Sequence, residues 1–283
     1  MADLSNILIV TDLDGTFFGK HGAPIARNLE AVERLKAQGG HFTIATGRTN
    51  LNLKYKWRDA ADLVNAPVVG CNGAMLCDLR TDKILDGVLM DREHVMELIE
   101  LMTREYPELG ARISVEEGFL SSPAQRERCP VLNHDLERVA PAKVFYLPEE
   151  EWTTINDWYK VVVRGDEAKL DEFRILAEKT WPDRFETSKS GAAYLEFQAP
   201  NTTKATMIPA LREYVENKAG KPVKLYACGD YENDLTMLKL ADVAVCPTNA
   251  LDCVKEVSDL CLCHHTEGLI ANLIELIEAE NNG

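Results

Sequence analysis

Blocks of apolar residues and stretches of helical spacing take turns along the first part of the chain. Ile7, Leu8, Ile9 and Val10 form a continuous apolar block, the pattern of a short strand buried on both faces in the middle of a parallel sheet. Ile25, Leu29, Val32 and Leu35 then recur at helical spacing, and Gly39-Gly40 provides a stop. HFTIATGR (41–48) is the next strand with its turn, and PVVGCNGAML (67–76) reads as another. The same rhythm returns near the end. VKLYACGD (223–230), VAVC (243–246) and DLCLC (259–263) are strand-like, NDLTMLKLA (233–241) is helical, and 267–278 predicts a closing amphipathic helix with Thr266 as N-cap. Strand–helix alternation of this kind predicts a doubly wound α/β sheet with right-handed crossovers.

Between about 83 and 197 the texture changes. Val95, Leu98, Ile99, Met102 and Tyr106 mark a helix, ARISVEEGFL (111–120) a hairpin, and KVFYL (143–147) and YKVVVR (159–164) strands. Residues 166–180 predict another helix, with strands near 184–188 and 192–197. The expected organisation is a core from 1–82 and 198–283, with an α+β cap, 83–197, inserted into it. Neither repeats nor low-complexity tracts interrupt this pattern.

Bulk composition narrows the functional classes. At 283 residues the chain is long enough for two domains. Its 31 basic and 46 acidic residues leave a net charge of −15, which argues against nucleic acid or an anionic membrane surface as a partner. No apolar run approaches the length of about 18 residues that a membrane helix needs, and the start, MADLSNILIV, lacks a secretory pattern. Eight cysteines sit mostly in apolar runs without disulfide-like spacing. The expectation is a cytoplasmic protein with buried free thiols.

Chemistry concentrates after the strands. DLDGT (12–16) puts Asp12 and Asp14 at the carboxyl end of the first strand, where open α/β sheets hold ligands. Alone, DLDG reads equally as a capped turn, and no glutamate closes an EF-hand loop. TGR (46–48) offers the Thr46 hydroxyl and the Gly47 N–H at the same sheet edge. Lys204 follows the polar turn NTT (201–203) and opens a helix, and GDYEND (229–234) sets Asp230, Asn233 and Asp234 beside it. Two carboxylates about 4 Å apart repel by about 4 kcal/mol at an effective dielectric near 20, so Asp12, Asp14, Asp230 and Asp234 call for a hard dication such as Mg²⁺. A lysine, a hydroxyl and several N–H groups beside it suit a phosphoryl group.

DLDGT, the threonine of TGR, a downstream lysine and GDxxND, in that order, resemble the four motifs of haloacid dehalogenase-superfamily phosphatases. The large insert and the NGA loop (72–74) look like the Cof-type subgroup, subclass IIB. The resemblance covers 7 to about 80 and 194 to 278, and the insert only in element order. It implies Mg²⁺-dependent hydrolysis of small-metabolite phosphate monoesters, sugar phosphates foremost, through an aspartyl phosphate. By this resemblance Asp12 is the nucleophile and Asp14 the proton carrier. Thr46 and Lys204 hold the phosphoryl oxygens, with Leu13, Gly47, Arg48, Asn72 and Asn233 completing the binding set. Asp12, the Asp14 carbonyl and Asp230 ligate the metal, while Asp234 acts through water or orients Lys204. A phosphosugar mutase and a non-catalytic phosphometabolite binder are the alternatives.

Departures from the family pattern leave the catalytic atoms alone. Asn201 stands where glycine is usual, Pro209 should delay or kink the helix after Lys204, and VCPTNA (245–250) replaces VAMGNA. Arg48 is open between a substrate anion and an interdomain ion pair, and Asn72 between substrate and turn cap. Arg112, Lys143, Lys160, Arg164 and Lys189 are candidate cap specificity residues. CLCHH (261–265) suggests zinc, but buried free cysteine accounts for it as well, with Cys261 and Cys263 on one side of a strand.

Overall fold

The computed structural model describes residues 2–139 and 143–282. Strand β1 (Ile7–Thr11) is followed by a tight turn and α1 (Ala26–Ala37), β2 (His41–Ile44), two short helices α2 (Asn50–Lys56) and α3 (Ala60–Leu63), and β3 (Val68–Gly70). β4 (Met75–Asp78) and β5 (Lys83–Gly87) come next, then α4 (Arg92–Glu105), the hairpin β6 (Gly110–Val115) and β7 (Gly118–Ser121), α5 (Pro123–Arg128), α6 (Pro130–Val139) and β8 (Val144–Tyr146). β9 (Lys160–Arg164), α7 (Glu167–Thr180), β10 (Glu186–Gly191) and β11 (Tyr194–Gln198) follow. The chain ends with α8 (Ile208–Ala219), β12 (Lys224–Cys228), α9 (Leu235–Leu240), β13 (Val243–Cys246), α10 (Asp252–Val257), β14 (Leu260–Cys261) and α11 (Leu269–Asn282).

A five-stranded parallel sheet in the order β14-β13-β12-β1-β2 forms the core, and a parallel bridge between Ala45 and Val69 sets β3 beside β2. β1 is central and fully buried, as its unbroken apolar run requires. Its alternate residues feed two separate cores. Ile7 and Ile9 join Val32 and Leu35 of α1 and Leu273 and Ile277 of α11, whereas Leu8 and Val10 join Ile208, Leu211 and Val215 of α8. Each such side chain, fully buried, contributes about 1.5–3 kcal/mol, so the helical layers on both faces hold the sheet in place.

A second sheet, β10-β11-β9-β6-β7-β8, is antiparallel except for β7 with β8. Its strands β6, β9 and β11 alternate between an apolar and a mainly polar face, on which Val162 is the apolar exception. Ala111, Ile113, Val161, Val163, Leu195 and Phe197 pack with Leu98 and Met102 of α4 and Leu170 and Phe173 of α7. Arg112, Lys160, Tyr194 and Glu196 occupy the intervening positions and face the core sheet's edge across a cleft. The α/β core with an added α+β cap region is thus the observed architecture. Among the described residues no helix is long and apolar enough to cross a membrane.

Several elements differ from the sequence expectation. The stretch 67–76 is two antiparallel strands, β3 and β4, separated by a turn at Cys71–Gly73 with Asn72 at φ +52°. β5, which begins at Lys83, pairs with β4 and not with the six-stranded sheet. The last helix starts at Leu269, after a turn at His265–Glu267 that His264 caps, so Thr266 is not its N-cap. Lys204 lies in a turn, and α8 opens only at Ile208 with Pro209 in its first turn, where a missing N–H costs nothing. Asn201 adopts φ +58°. All eight cysteines are free, and five are buried; Cys253 and Cys261 are exposed and Cys263 half-buried, beyond the two-residue β14.

Candidate active site

β1, β2 and β12 end side by side, and the segments that follow them converge with the Lys204 turn. Leu13–Phe17 wraps into one tight turn after β1, with Gly15 at φ +89°. A Cβ at Gly15 would stand 2.3 Å from an Asp230 carboxylate oxygen, so only glycine lets this turn approach the β12 loop. The Thr16 hydroxyl donates to Asp230 Oδ1 at 2.6 Å. Thr16 received no role from the sequence, because a threonine inside a familiar motif gives no separate signal.

Lys204 is fully buried between two carboxylates. Its Nζ donates to Asp12 Oδ1 at 2.5 Å and to Asp234 Oδ1 at 2.6 Å. The other Asp234 oxygen accepts the backbone N–H groups of Asp230 (3.0 Å) and Tyr231 (3.1 Å), which fixes the loop carrying Asp230. Burial alone would lower the lysine's pKa, but Asp12 and Asp234 outweigh it and hold the ammonium above the ordinary value. Burial pushes the Asp12 carboxyl well above its usual range, with Asp234 and Asp230 adding to the push against the pull of Lys204. Asp230 is raised to about 7, first by burial and then by Asp234.

Asp12, Asp230 and Asp234 present oxygens within 4.8 Å of one another. The donors are all hard oxygens, and two of the three carboxyls are driven toward neutrality by burial and crowding. That set fits a divalent cation. Among the described residues it is the one group of three or more histidine, cysteine or carboxylate side chains gathered tightly enough for a metal. Cys261, Cys263, His264 and His265 do not gather. His264 caps a turn, and His265 Nδ1 lies 2.6 Å from the Phe18 carbonyl.

Asp12 is nearly buried, while the Asp14 side chain is 57% exposed and bound to Arg48 Nη2 at 2.6 Å. The two acids therefore stand in different surroundings only two residues apart. Arg48 pairs within the core, not across to the cap, and Asn52 accepts from its Nη1 at 3.3 Å. Thr46 is buried at the end of β2, and its hydroxyl accepts the Arg48 N–H at 3.3 Å. Asn72 is buried and donates to Glu196, while its own Oδ1 accepts from Asn233 at 3.2 Å. Leu13 is buried under the turn. In place of the family's usual loop, Asn249 of VCPTNA donates to the Gly15 carbonyl at 3.0 Å and so braces the same turn.

A cleft of about 520 Å³ opens between this edge and the polar face of the second sheet. Of the five cap residues singled out from sequence, Arg112 and Lys160 line it. Arg164 lies behind Tyr194, its guanidinium 3.3 Å from the ring centroid. Lys143 and Lys189 are occupied by Glu117 and by Glu167 with Asp171. Glu196 was missed, although its signal was present. It is a lone carboxylate inside the strand YLEFQ (194–198), at a position alternating with buried Leu195 and Phe197.

Comparison with known proteins agrees with this geometry. A pyridoxal phosphate phosphatase of Escherichia coli is 22% identical over 280 residues, covering 94% of this chain and 97% of that protein. A phosphoglycolate phosphatase of Methanopyrus kandleri is 27% identical over 279 residues, covering 96% and 97%. The solved structure of a sugar phosphatase of haloacid dehalogenase subclass IIB has the same fold, with a TM-score of 0.78 at 18% identity over 96% of this chain and 99% of that one. Residues 9–274, which span every motif just described, match the family model of the haloacid dehalogenase-like hydrolases, and the chain belongs to that family.

Proposed function

We propose that this phosphatase hydrolyses phosphate monoesters of small polar metabolites, sugar phosphates among them, with Mg²⁺ and through a phosphoryl group carried on Asp12. The observation that carries the reading is the buried Lys204 bridging Asp12 and Asp234, beside Asp230. A carboxylate oxygen of Asp12 attacks phosphorus, and the ester oxygen leaves with a proton from Asp14. Asp14 then takes a proton from water, whose oxygen attacks the same phosphorus and releases phosphate with Asp12 restored. Lys204, Thr46, the Gly47 N–H and Asn233 hold the phosphoryl oxygens, with Leu13 shaping the turn beneath. Asp234 orients Lys204, and Asn72 orients Asn233. Asp12, Asp230 and the Asp14 carbonyl would hold Mg²⁺, whose charge offsets that of the phosphoryl group.

Residues 88–198 act in this reading as the cap over a core made of the rest, the crossing falling after β5 because that strand pairs with β4. The relatives' names include pyridoxal phosphate and phosphoglycolate, so the family supports phosphate esters in general and leaves selection to the cleft's own residues. Phosphate release from a panel of sugar and non-sugar phosphates, with Mg²⁺ and with excess EDTA, is the test. Metal-dependent release is expected. Full turnover in EDTA overturns the metal assignment, an isomerised ester without released phosphate indicates a mutase, and tight binding without turnover indicates a binder.

A further inference from the structure

The polar face of the cap sheet carries more than surface charge where it meets the phosphate-binding loop. Lys160 at the start of β9 is 1% exposed, and Glu196 in the middle of β11 is 4% exposed, yet both border the cleft. Lys160 Nζ donates to Glu196 Oε1 at 3.0 Å and to the Gly47 carbonyl at 2.7 Å. That carbonyl belongs to the loop directly after Thr46. Two of the three ammonium donors are thereby used. Glu196 Oε2 accepts from Asn72, and the Ser190 side chain also hydrogen-bonds to the carboxylate, so with Lys160 three donors occupy its roughly four acceptor sites. Burial of Glu196 would raise its pKa, but Lys160 and the hydrogen bonds of the site outweigh it, so the carboxylate stays ionised.

Placed against the cleft, this pair offers one donor and one acceptor side by side, with no net charge. A neighbouring pair repeats the arrangement. Arg112 donates to Asp135 at 2.7 Å, and the Tyr194 hydroxyl donates to Asp135 at 3.2 Å. Lys56 and Arg138, which form no ion pair among the described residues, are exposed at the mouth of the cleft, where solvent screens them. A buried, charge-balanced donor–acceptor pair suits a hydroxyl, which can accept from Lys160 and donate to Glu196 at once. An alkyl group there would leave the remaining Lys160 donor and Glu196 acceptor unsatisfied, and a carboxylate would face Glu196.

We propose that Lys160 and Glu196 are a specificity-determining pair that selects a neutral leaving group bearing a hydroxyl close to the ester oxygen, and disfavours esters that carry a carboxylate there. This rests on the phosphatase reading above. The probes are glycerol 1-phosphate, n-propyl phosphate, which lacks both hydroxyls, and phosphoglycolate. The wild-type enzyme is expected to prefer glycerol phosphate over propyl phosphate in kcat/KM by about 10- to 100-fold. Glu196→Gln and Lys160→Met should each cut that preference at least about tenfold, and Glu196→Gln should improve phosphoglycolate relative to glycerol phosphate, because a repelling charge is gone. Glu196→Asp, which keeps the carboxylate, should retain part of the preference, and thermal melting confirms that each variant is folded. A purely structural pair would lower turnover of all three esters in parallel with the ratios unchanged, and that result overturns the proposal. A wild-type enzyme releasing phosphate with no preference for glycerol phosphate also overturns it while sparing the phosphatase reading; no release from any ester removes both.

Discussion

At the residue scale the site separates two carboxylic acids that the sequence sets two positions apart. Asp12 is buried against Lys204, and Asp14 stands at the cleft edge beside Arg48. Asp12→Asn should abolish the covalent intermediate, read as loss of the added phosphoryl mass after rapid acid quench. Asp14→Asn keeps the nucleophile and should slow turnover by about 10²–10⁴, less for an activated ester whose leaving group needs no proton. Equal losses for both variants across leaving groups would reverse the assignment. Lys204→Met makes a different point, about stability. With its side chain wholly buried between Asp12 and Asp234, the substitution leaves two carboxylates without their shared cation. Breaking a buried pair in this way typically costs about 3–5 kcal/mol, and chemical denaturation should show a loss of that order. Added divalent cation should recover part of it.

Elements that were legible from the sequence are those whose apolar pattern is decided locally. β1 could be placed from four apolar residues because burial on both faces leaves no other pattern, and the α4 and α7 helices because their stripes run for several turns. The site motifs were legible for a related reason, since each follows a strand end that topology brings to one edge. What escaped was decided by partners distant in sequence. The stretch 67–76 reads as one strand, but β4 must fold back on β3, and the turn between them abuts Thr203. The α2, α3 and α5 helices run for seven residues or fewer, and their stability comes from what they cover. Glu196 became meaningful only once β11 was known to turn that face to the cleft. Gly73 allows a direct test of the close approach. At φ +90° its Cβ would fall 1.8 Å from the Thr203 carbonyl, one residue before Lys204. Gly73→Ala should therefore cost about 1–3 kcal/mol and raise KM for phosphate esters, because the Lys204 turn must move. Unchanged melting and KM would mean that the turn yields freely.

At the scale of the whole molecule, acid should act on the cap roof. Glu196 and Asp135 are both buried carboxylates held below their ordinary values, since Lys160 and Arg112 respectively outweigh the effect of burial. Groups with a depressed folded-state pKa contribute stability that is fully present above the unfolded value of about 4 and lost as pH falls through the lower folded value. Stability measured by denaturant titration should thus decline below about pH 4, and Glu196→Gln, already neutral, should show a shallower decline. An identical acid slope in the variant would exclude Glu196 as a contributor.

The alternation along β6, β9 and β11 has an evolutionary reading. One set of residues in each strand builds the second hydrophobic core, and the next set meets whatever enters the cleft. Foldability and selectivity are therefore written in the same few residues but at odd and even places. Mutational tolerance should follow that parity. Libraries at Arg112, Lys160, Tyr194 and Glu196 that keep the Lys160–Glu196 and Arg112–Asp135 pairs matched in charge should yield more folded proteins with altered preferences than libraries at Ala111, Ile113, Val163 and Leu195. A chain organised in this way can acquire new substrates by drift on one face of a sheet while the opposite face keeps its ancestry.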